Sequence, residues 1–341
     1  MSAVGTHGGS GRAAPTLDDV ARVAGVSRAT VSRFVNGGHL VSSTTSEAVA
    51  RAVAELGYQP NRVARALATR RAGAVAVVVP ETAERVFADP FLTQAYLGAL
   101  TAFADADERV LLAMSRPGEG VARMARYLDS GHVDGAVVIS HHGPGLGQQL
   151  IESKCPVVFL GDPEVPGLPF VELDQLSAAI TATRYLVDRG ARRIASVTGP
   201  MDMGPGQERL HGFKAALDDA GLAPVGWSSG DFTADGGERA TEELLRNHRD
   251  IDALFVASDL MALGAMRALR RAGVRVPDDV LLVGFDDSPV ALQTHPLLTT
   301  MTNPASELAR IAGEMLLGML AGAVPESPVI LTSELVIRGS A

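Results

Sequence analysis

From Gly73 onward the chain alternates between short apolar runs and longer segments with helical spacing, and this alternation limits its possible folds more than any other feature. AVAVVVP (74–80) is an apolar run stopped by Pro80, as a strand buried on both faces should be. The segment 87–108 then has helical spacing, and VLLAM (110–114) is the next strand. The pattern continues through a helix at 121–130, DGAVVIS (134–140), CPVVFLG (155–161), a long helix at 178–190 and RIASVTG (193–199). It ends with a helix at 208–221, a weak strand near Val225–Ser229, a helix around 242–247, DALFVAS (252–258), a helix at 261–273 and VLLVGFDD (280–287). Repeated β–α units predict parallel sheets with helices on both faces. There are too many units for one sheet, so the spacing predicts two lobes, split near Asp174 and rejoined after Asp286. Ligands in such folds bind beyond the C-terminal ends of the strands, which predicts a cleft between the lobes.

The first 71 residues read differently. Thr16 is placed to cap a helix with apolar positions at Leu17, Val20, Ala21 and Ala24, and Gly25 ends it because glycine accepts left-handed backbone. Ser27 is placed to cap a second helix, in which Val31 and Phe34 or Val35 face the first. Helix, short turn, helix is the layout that sets a second helix into a DNA major groove. Arg28 and Ala29 have the best position for base edges, since arginine reads guanine bidentately and a methyl can meet thymine. Thr30, Ser32 and Arg33 face phosphates or bases. A third helix is expected to start at Thr45 or Ser46 and end at Gly57, followed by Tyr58. After Pro60, Asn61 is placed to cap a short helix holding Val63, Ala64, Leu67 and Ala68. That helix is too short to be stable alone. Its Ala64 and Leu67 suit minor-groove entry, and Arg62, Arg65, Arg70 and Arg71 suit phosphates.

Charge agrees with this division. The chain carries a formal net charge of −9, yet residues 1–71 hold nine arginines and four acidic residues, and residues 72–341 hold 21 basic and 35 acidic residues. A basic head on an acidic body fits a DNA reader joined to a separate sensor. No apolar stretch is long enough to span a membrane, and residues 1–15 resemble a disordered tail more than a signal peptide. The single cysteine, Cys155, has no partner for a disulfide or a metal site and is expected to be a small buried hydrophobe. These features predict a cytoplasmic protein. His141 and His142 have no ligand at metal spacing and are expected on a surface loop. GPGLG (143–147) and GPMDMGPG (199–206) lack phosphate-loop order and are expected as cleft-side loops. No nucleophile–base motif occurs, so no catalytic residue, metal or cofactor is assigned.

Residues 16–71 resemble the headpiece and hinge of the LacI/GalR family of bacterial transcriptional regulators. The matching text is TLDDVARVAGVSRATVS, then VSSTT, then ELGYQPNRVARAL. The resemblance extends through residue 339, with TSELVIRGS as the closing segment. It implies an α/β chain: an all-helical helix-turn-helix headpiece and a two-lobed, periplasmic-binding-protein-like body of parallel sheets flanked by helices, with three crossovers. The expected division is a tail at 1–15, a DNA-binding domain at 16–59, a hinge and linker at 60–72, and an effector-binding and dimerisation domain at 73–341. Within the last, the N-lobe takes about 73–174 and 299–325, and the C-lobe about 175–298 and 326–341. The implied recognition pair is Arg28 and Ala29, with Asn61, Ala64 and Leu67 in a minor-groove hinge helix. The full DNA-facing set is Thr16, Ser27, Arg28, Ala29, Thr30, Ser32, Arg33, Asn36, Thr45, Tyr58, Asn61, Arg62, Ala64 and Leu67. The implied partners are a pseudo-palindromic double-stranded operator, a second copy of the chain and a small-molecule effector.

A cleft for a mono- or oligosaccharide needs carboxylates and arginines for hydroxyls and an aromatic wall for the ring face. The residues following strands are Ser258 and Asp259, Asp286 and Asp287, with Arg209 near a helix start. The resemblance assigns effector contacts to Arg209 and Asp286, and adds Phe232 and Phe91 as ring-stacking and lip aromatics. Ser258 stands where many sugar-responsive members carry Asn, and Gly161 where several carry Asp, with Asp162 next to it. These departures leave the sugar unnamed. A ligand-released repressor is the leading expectation. A regulator with a nucleobase or other small-molecule corepressor and an activator stay open. A sugar-modifying enzyme would need a carboxylate pair and no basic head, and a transport binding protein would need an export signal.

Overall fold

The computed structural model describes residues 15–35, 42–58, 71–114 and 120–341. The chain divides into two compact units, 1–71 and 72–341. In the first, α1 (Leu17–Ala24) opens with a capping box. Thr16 Oγ1 accepts from the Asp19 amide, and the Asp19 carboxylate accepts from the Thr16 amide at 3.0 Å. Gly25 closes the helix at φ +67°. α2 (Arg28–Val35) starts from Ser27, whose Oγ accepts from the Thr30 amide at 3.1 Å. α3 (Ser43–Leu56) begins before the expected Thr45, because Ser42 is the cap: its Oγ accepts from the Thr45 amide, and the Thr45 hydroxyl meets the same atom at 2.9 Å. Val20, Ala21, Val31, Val49, Ala52 and Tyr58 form the core of this unit. Residues 1–14 of the tail, Asn36 and the hinge residues Asn61, Arg62, Ala64 and Leu67 lie outside the described residues.

The second unit is built from two six-stranded sheets. The first has the order β11 (Val329–Leu331), β5 (Phe170–Leu173), β4 (Val157–Leu160), β3 (Gly135–Ile139), β1 (Ala74–Val79), β2 (Arg109–Met114), all parallel. The second has the order β12 (Leu335–Val336), β10 (Thr299–Thr302), β9 (Leu281–Asp286), β8 (Ala253–Val256), β6 (Ile194–Thr198), β7 (Gly226–Ser229), with only β12 antiparallel. The all-valine-and-alanine β1 is buried at every position, as its sequence requires.

The helices beside the first sheet are α4 (Ala83–Ala88), α5 (Pro90–Ala102), α6 (Val121–Asp129) and α7 (Gly145–Leu150). α8 (Gln175–Asp188), α9 (Gly204–Asp219), α10 (Ala234–Asn247) and α11 (Asp259–Arg271) accompany the second. α12 (Ala305–Leu320) returns to the first lobe, packing on α5 and on β3 to β5. The GPGLG stretch, expected as a loop, instead enters α7 at Gly145.

Two lobe boundaries differ from expectation. Strand 299–302 stays in the second sheet, because β10 pairs with β9 from Thr299 to Thr302. The return to the first lobe therefore falls after Thr302, not before Thr299. Strand 329–331 belongs to the first sheet through β5, so the last crossing comes after Leu331 and not at 325/326. Both shifts arise from strands of four and three residues, too short to show a period in the sequence. Between the two sheets the chain also steps from β5 into α8 at Asp174.

Candidate functional site

In the first unit, Ser27, Arg28, Ala29 and Arg33 are exposed along one part of α2, while Thr30 and Ser32 are half-buried. Arg28 stands 3.6 Å from Asp18 of α1, with both side chains about two-thirds exposed. A surface pair of this kind is weak, so the guanidinium can be exchanged onto a nucleic acid. Thr16 and Thr45 sit at the first turns of α1 and α3, where amides point outward and phosphate is favoured. Tyr58 differs from the rest: at 8% exposure it belongs to the core, and its ring packs rather than projects.

In the second unit, the C-terminal ends of strands from both sheets border one cleft of about 900 Å³, open mouth included. Phe91, Arg209, Phe232, Ser258 and Asp286, singled out from five separate stretches of sequence, all line it. Gln175, Asn303, Asp89, Arg85, Ser288 and Glu172 line it too and were not foreseen. The wall also includes Leu160, Leu173, Met203, Leu260 and Leu308.

Arg209 organises the floor. It is 4% exposed. Its Nε donates to Gln175 Oε1 at 2.8 Å, its Nη1 donates to the Ala257 carbonyl, and Nη1 stands 3.8 Å from Asp286 Oδ1. The guanidinium lies 3.6 Å above the Phe285 ring centre and 5.8 Å from that of Phe232. Burial pushes the Asp286 carboxyl above the usual carboxylate range, and the Arg209 charge and the Asn303 amide, which donates to Asp286 Oδ1 at 3.0 Å, pull it back. Asn303 Oδ1, Ser288 Oγ and Arg85 Nε are buried and have no hydrogen-bond partner. All three residues face the cleft. Buried polar atoms are normally paired, so these are groups that a polar ligand would satisfy.

Three side-chain-bearing residues of the cleft hold strained backbone: Ser140 has φ +60°, Phe232 φ +59° and Asp286 φ +111°. Gly199 explains how the Phe232 ring is accommodated: a Cβ there would lie 2.3 Å from the ring's Cζ, so only glycine lets the ring lie over the end of β6. Arg85, from the first lobe, approaches the same ring at 5.7 Å.

Ser258 is 4% exposed and spends its acceptor on the Met261 amide at 3.2 Å as the cap of α11. Its hydroxyl proton stays free for the cleft. Asp259 and Asp287, which also follow strands, are used elsewhere. Asp259 is fully buried below the cleft, accepting from Thr300 Oγ1 at 2.6 Å and the Ser288 amide at 2.7 Å. Asp287 pairs with Arg338 at 2.6 Å. Asp162 does reach the cleft beside Gly161. At the same end, burial and the nearby Glu208 push Glu172 up to about 8, so its carboxyl is mostly protonated at neutral pH and offers a donor. His141, expected on a surface loop, is 6% exposed with its ring edge-on to Phe159, and burial lowers its pKa. Cys155 is buried, as expected. Among the described residues no cluster suited to a metal ion occurs, and no helix is long and apolar enough to cross a membrane.

A helix-turn-helix unit joined in sequence to a two-lobed body with a polar cleft defines a DNA-binding regulator with a ligand-binding domain. Comparison with known proteins agrees. Residues 16–61 match the family described as bacterial regulatory proteins, lacI family, and residues 183–341 match the periplasmic binding protein-like domain. The HTH-type transcriptional regulator CelR of Thermobifida fusca is 43% identical over 339 residues, covering 96% of this chain and 99% of CelR. A solved transcriptional regulator CelR–cellobiose complex is 41% identical, with TM-score 0.75 over 96% of this chain and 100% of that one. The lac repressor dimer bound to operator and the anti-inducer ONPF is 29% identical, with TM-score 0.84 over 96% of this chain and 98% of that one. The chain belongs to the lacI family of bacterial regulatory proteins. It is a transcriptional regulator, and the relatives it matches are regulators, not enzymes.

Proposed function

We propose that this regulator represses transcription by binding an inverted-repeat operator as a homodimer in the cytoplasm, and that a small carbohydrate in the cleft releases it. The observation that carries the carbohydrate reading is the floor formed by Arg209, Asp286 and Asn303. A guanidinium, a carboxylate and an amide with an unpartnered oxygen stand together under an aromatic wall. Such a set gives a vicinal diol both donors and acceptors, while Phe232 and Phe91 offer apolar faces to a sugar ring. The CelR–cellobiose complex makes cellobiose the first probe.

On DNA, Arg28 and Ala29 read base edges, while Thr16, Ser27, Thr30, Ser32, Arg33, Asn36 and Thr45 hold the backbone. Asn61, Arg62, Ala64 and Leu67 serve as the minor-groove hinge. The test is fluorescence anisotropy of the full chain on an inverted-repeat duplex from its own promoter region, titrated with cellobiose, maltose, ribose and adenosine. Release by a carbohydrate is expected. Release by adenosine alone, or tighter binding with any of the four, would replace the sugar-released repressor with another regulator.

A further inference from the structure

Beside the cleft, but outside its lining, the side chain of His142 spans two acidic groups from different lobes. Its Nε2 is 3.1 Å from Glu81 Oε1, in the segment after β1, and its Nδ1 is 2.8 Å from Asp202 Oδ2, in the loop between β6 and α9. We infer that His142 is a positioning residue that fastens the two lobes across the mouth of the cleft as a charged bridge, and so ties ligand affinity to pH.

The chemistry of the ring supports this directly. A neutral imidazole has one N–H and one bare nitrogen, whereas an ionised carboxylate only accepts. With carboxylate oxygens facing both nitrogens, the neutral ring leaves one lone pair against an oxygen. The imidazolium donates to both. The two loops are close in their backbones as well: a Cβ placed on Gly143 would lie 3.8 Å from the Asp202 carbonyl.

Glu81 is held for this purpose. It is 8% exposed, accepts from Ser140 Oγ at 3.0 Å, and forms an ion pair with Arg85 of α4 at 3.3 Å. The charged groups around the bridge are therefore Glu81 with Arg85 behind it, Asp89 beyond α4, and Asp202 from the facing lobe. The hydrogen bond that His142 donates to Glu81 leads in raising the His142 pKa above 6.5, with Asp202 adding to it against partial burial. Asp202 is 66% exposed, which weakens its share by solvent screening.

Separation of the lobes takes Asp202 away from His142, so the ring holds its proton more tightly when they are together. Closure then takes up a proton. The bridge is fully present below the pKa of the separated state, and is lost as pH rises through the higher pKa of the closed state. A ligand that needs both lobes should bind more weakly at alkaline pH. This consequence rests on the cleft reading above, whereas the bridge itself does not.

The experiment uses the full chain and has two arms. In the first, imidazole carbon–proton NMR follows the eight histidines, and His142→Gln identifies the resonance that disappears. That resonance is expected to titrate above 6.5 and to move down in Asp202→Asn. A midpoint at or below 6.5, unmoved by Asp202→Asn, overturns the bridge whatever the ligand is. In the second arm, calorimetry with cellobiose compares wild type with His142→Gln between about pH 6 and about pH 8.5. Wild type is expected to lose about threefold to tenfold more affinity than the variant over this span, the variant starting weaker. The difference between the two proteins cancels the titration of Glu172 and other cleft carboxyls. Equal pH profiles and equal affinities overturn the positioning role. If cellobiose binds neither protein while the resonance behaves as expected, the bridge stands and the choice of sugar falls.

Discussion

Replacing Arg209 with methionine tests the centre of the cleft, because the thioether keeps the side chain's length and its contact with Phe285 while removing every donor. Three partners lose it: Gln175 Oε1, the Ala257 carbonyl and, at 3.8 Å, Asp286. Gln175 is 6% exposed and cannot turn to water without moving α8. Hydrogen bonds from a charged donor contribute about 1.5–3 kcal/mol each, and a buried charge stripped of its partner costs more. Against this, methionine avoids desolvating a guanidinium, and Asp286 can relieve itself by taking a proton. The net loss is about 2–3 kcal/mol, which in a unit of this size lowers the melting temperature by about 4–10 °C. The effect on ligand is separate. One charge-assisted bond to a hydroxyl is worth about 1.5–3 kcal/mol, or roughly tenfold to more than a hundredfold in affinity. Differential scanning calorimetry of the ligand-free chain measures the first quantity, and titration calorimetry with cellobiose the second, at a temperature well below the transition. A variant with wild-type melting and wild-type affinity would refute both the network and the site. One that melts lower but binds normally would leave Arg209 as a structural cross-brace and move the hydroxyl contacts elsewhere.

Three further outcomes follow from the same geometry. Arg28→Ala should reduce the preference for the operator over a scrambled duplex while leaving non-specific binding nearly intact, since base contacts specify and phosphate contacts position; an unchanged ratio in a competition assay would take Arg28 out of base reading. Asn303→Ala should weaken cellobiose binding by about tenfold, because its unpartnered Oδ1 is aimed at the cleft, and a normal affinity by calorimetry would argue against that contact. Asp259→Asn should gain stability over wild type as pH rises. Burial and the Asp286 charge push Asp259 up from 3.8 to about 8, so the wild-type fold prefers the protonated acid and loses stability through this group between these values, a loss the amide does not share. Urea unfolding should show no gain near pH 4 and about 1–3 kcal/mol near pH 8; a gain that is the same at both ends would mean that Asp259 does not titrate in this window.

Most of the fold was legible because its signals are local and repeated. β1, β3 and β8 are runs of apolar residues with a turn or a polar residue at each end, and the helices between them carry a core-facing stripe. Thr16, Gly25 and Ser27 announce helix ends by chemistry that acts over three residues. The misplaced features share a different cause. α3 starts early because VSSTT offers several hydroxyls in a row and only the folded backbone selects Ser42. β11 and β12 are three and two residues long, too short for any period, and their sheet membership is decided by pairing partners 158 and about 35 residues away.

The cleft shows the same limit at the level of single side chains. Asp259 and Asp286 both follow a buried strand, and both are flanked by a second polar residue. Nothing in their local sequence says that one faces the cleft while the other sits beneath its floor, fixed by Thr300 and the Ser288 amide. The strand-to-helix geometry decides it: Asp259 is the first residue of α11, turned inward behind the Ser258 cap, whereas Asp286 is held at the end of β9 with positive φ. Asn303 and Gln175 were missed for a related reason. Each stands beside a lobe crossing, where β10 hands over to α12 and β5 to α8. A crossing residue becomes part of a site only because two distant strands finish on the same side of the molecule. The three chain crossings therefore do more than connect the lobes. Two of them place the amide side chains of Gln175 and Asn303 next to Arg209 and Asp286, so that any relative movement of the lobes must also move groups that face the cleft.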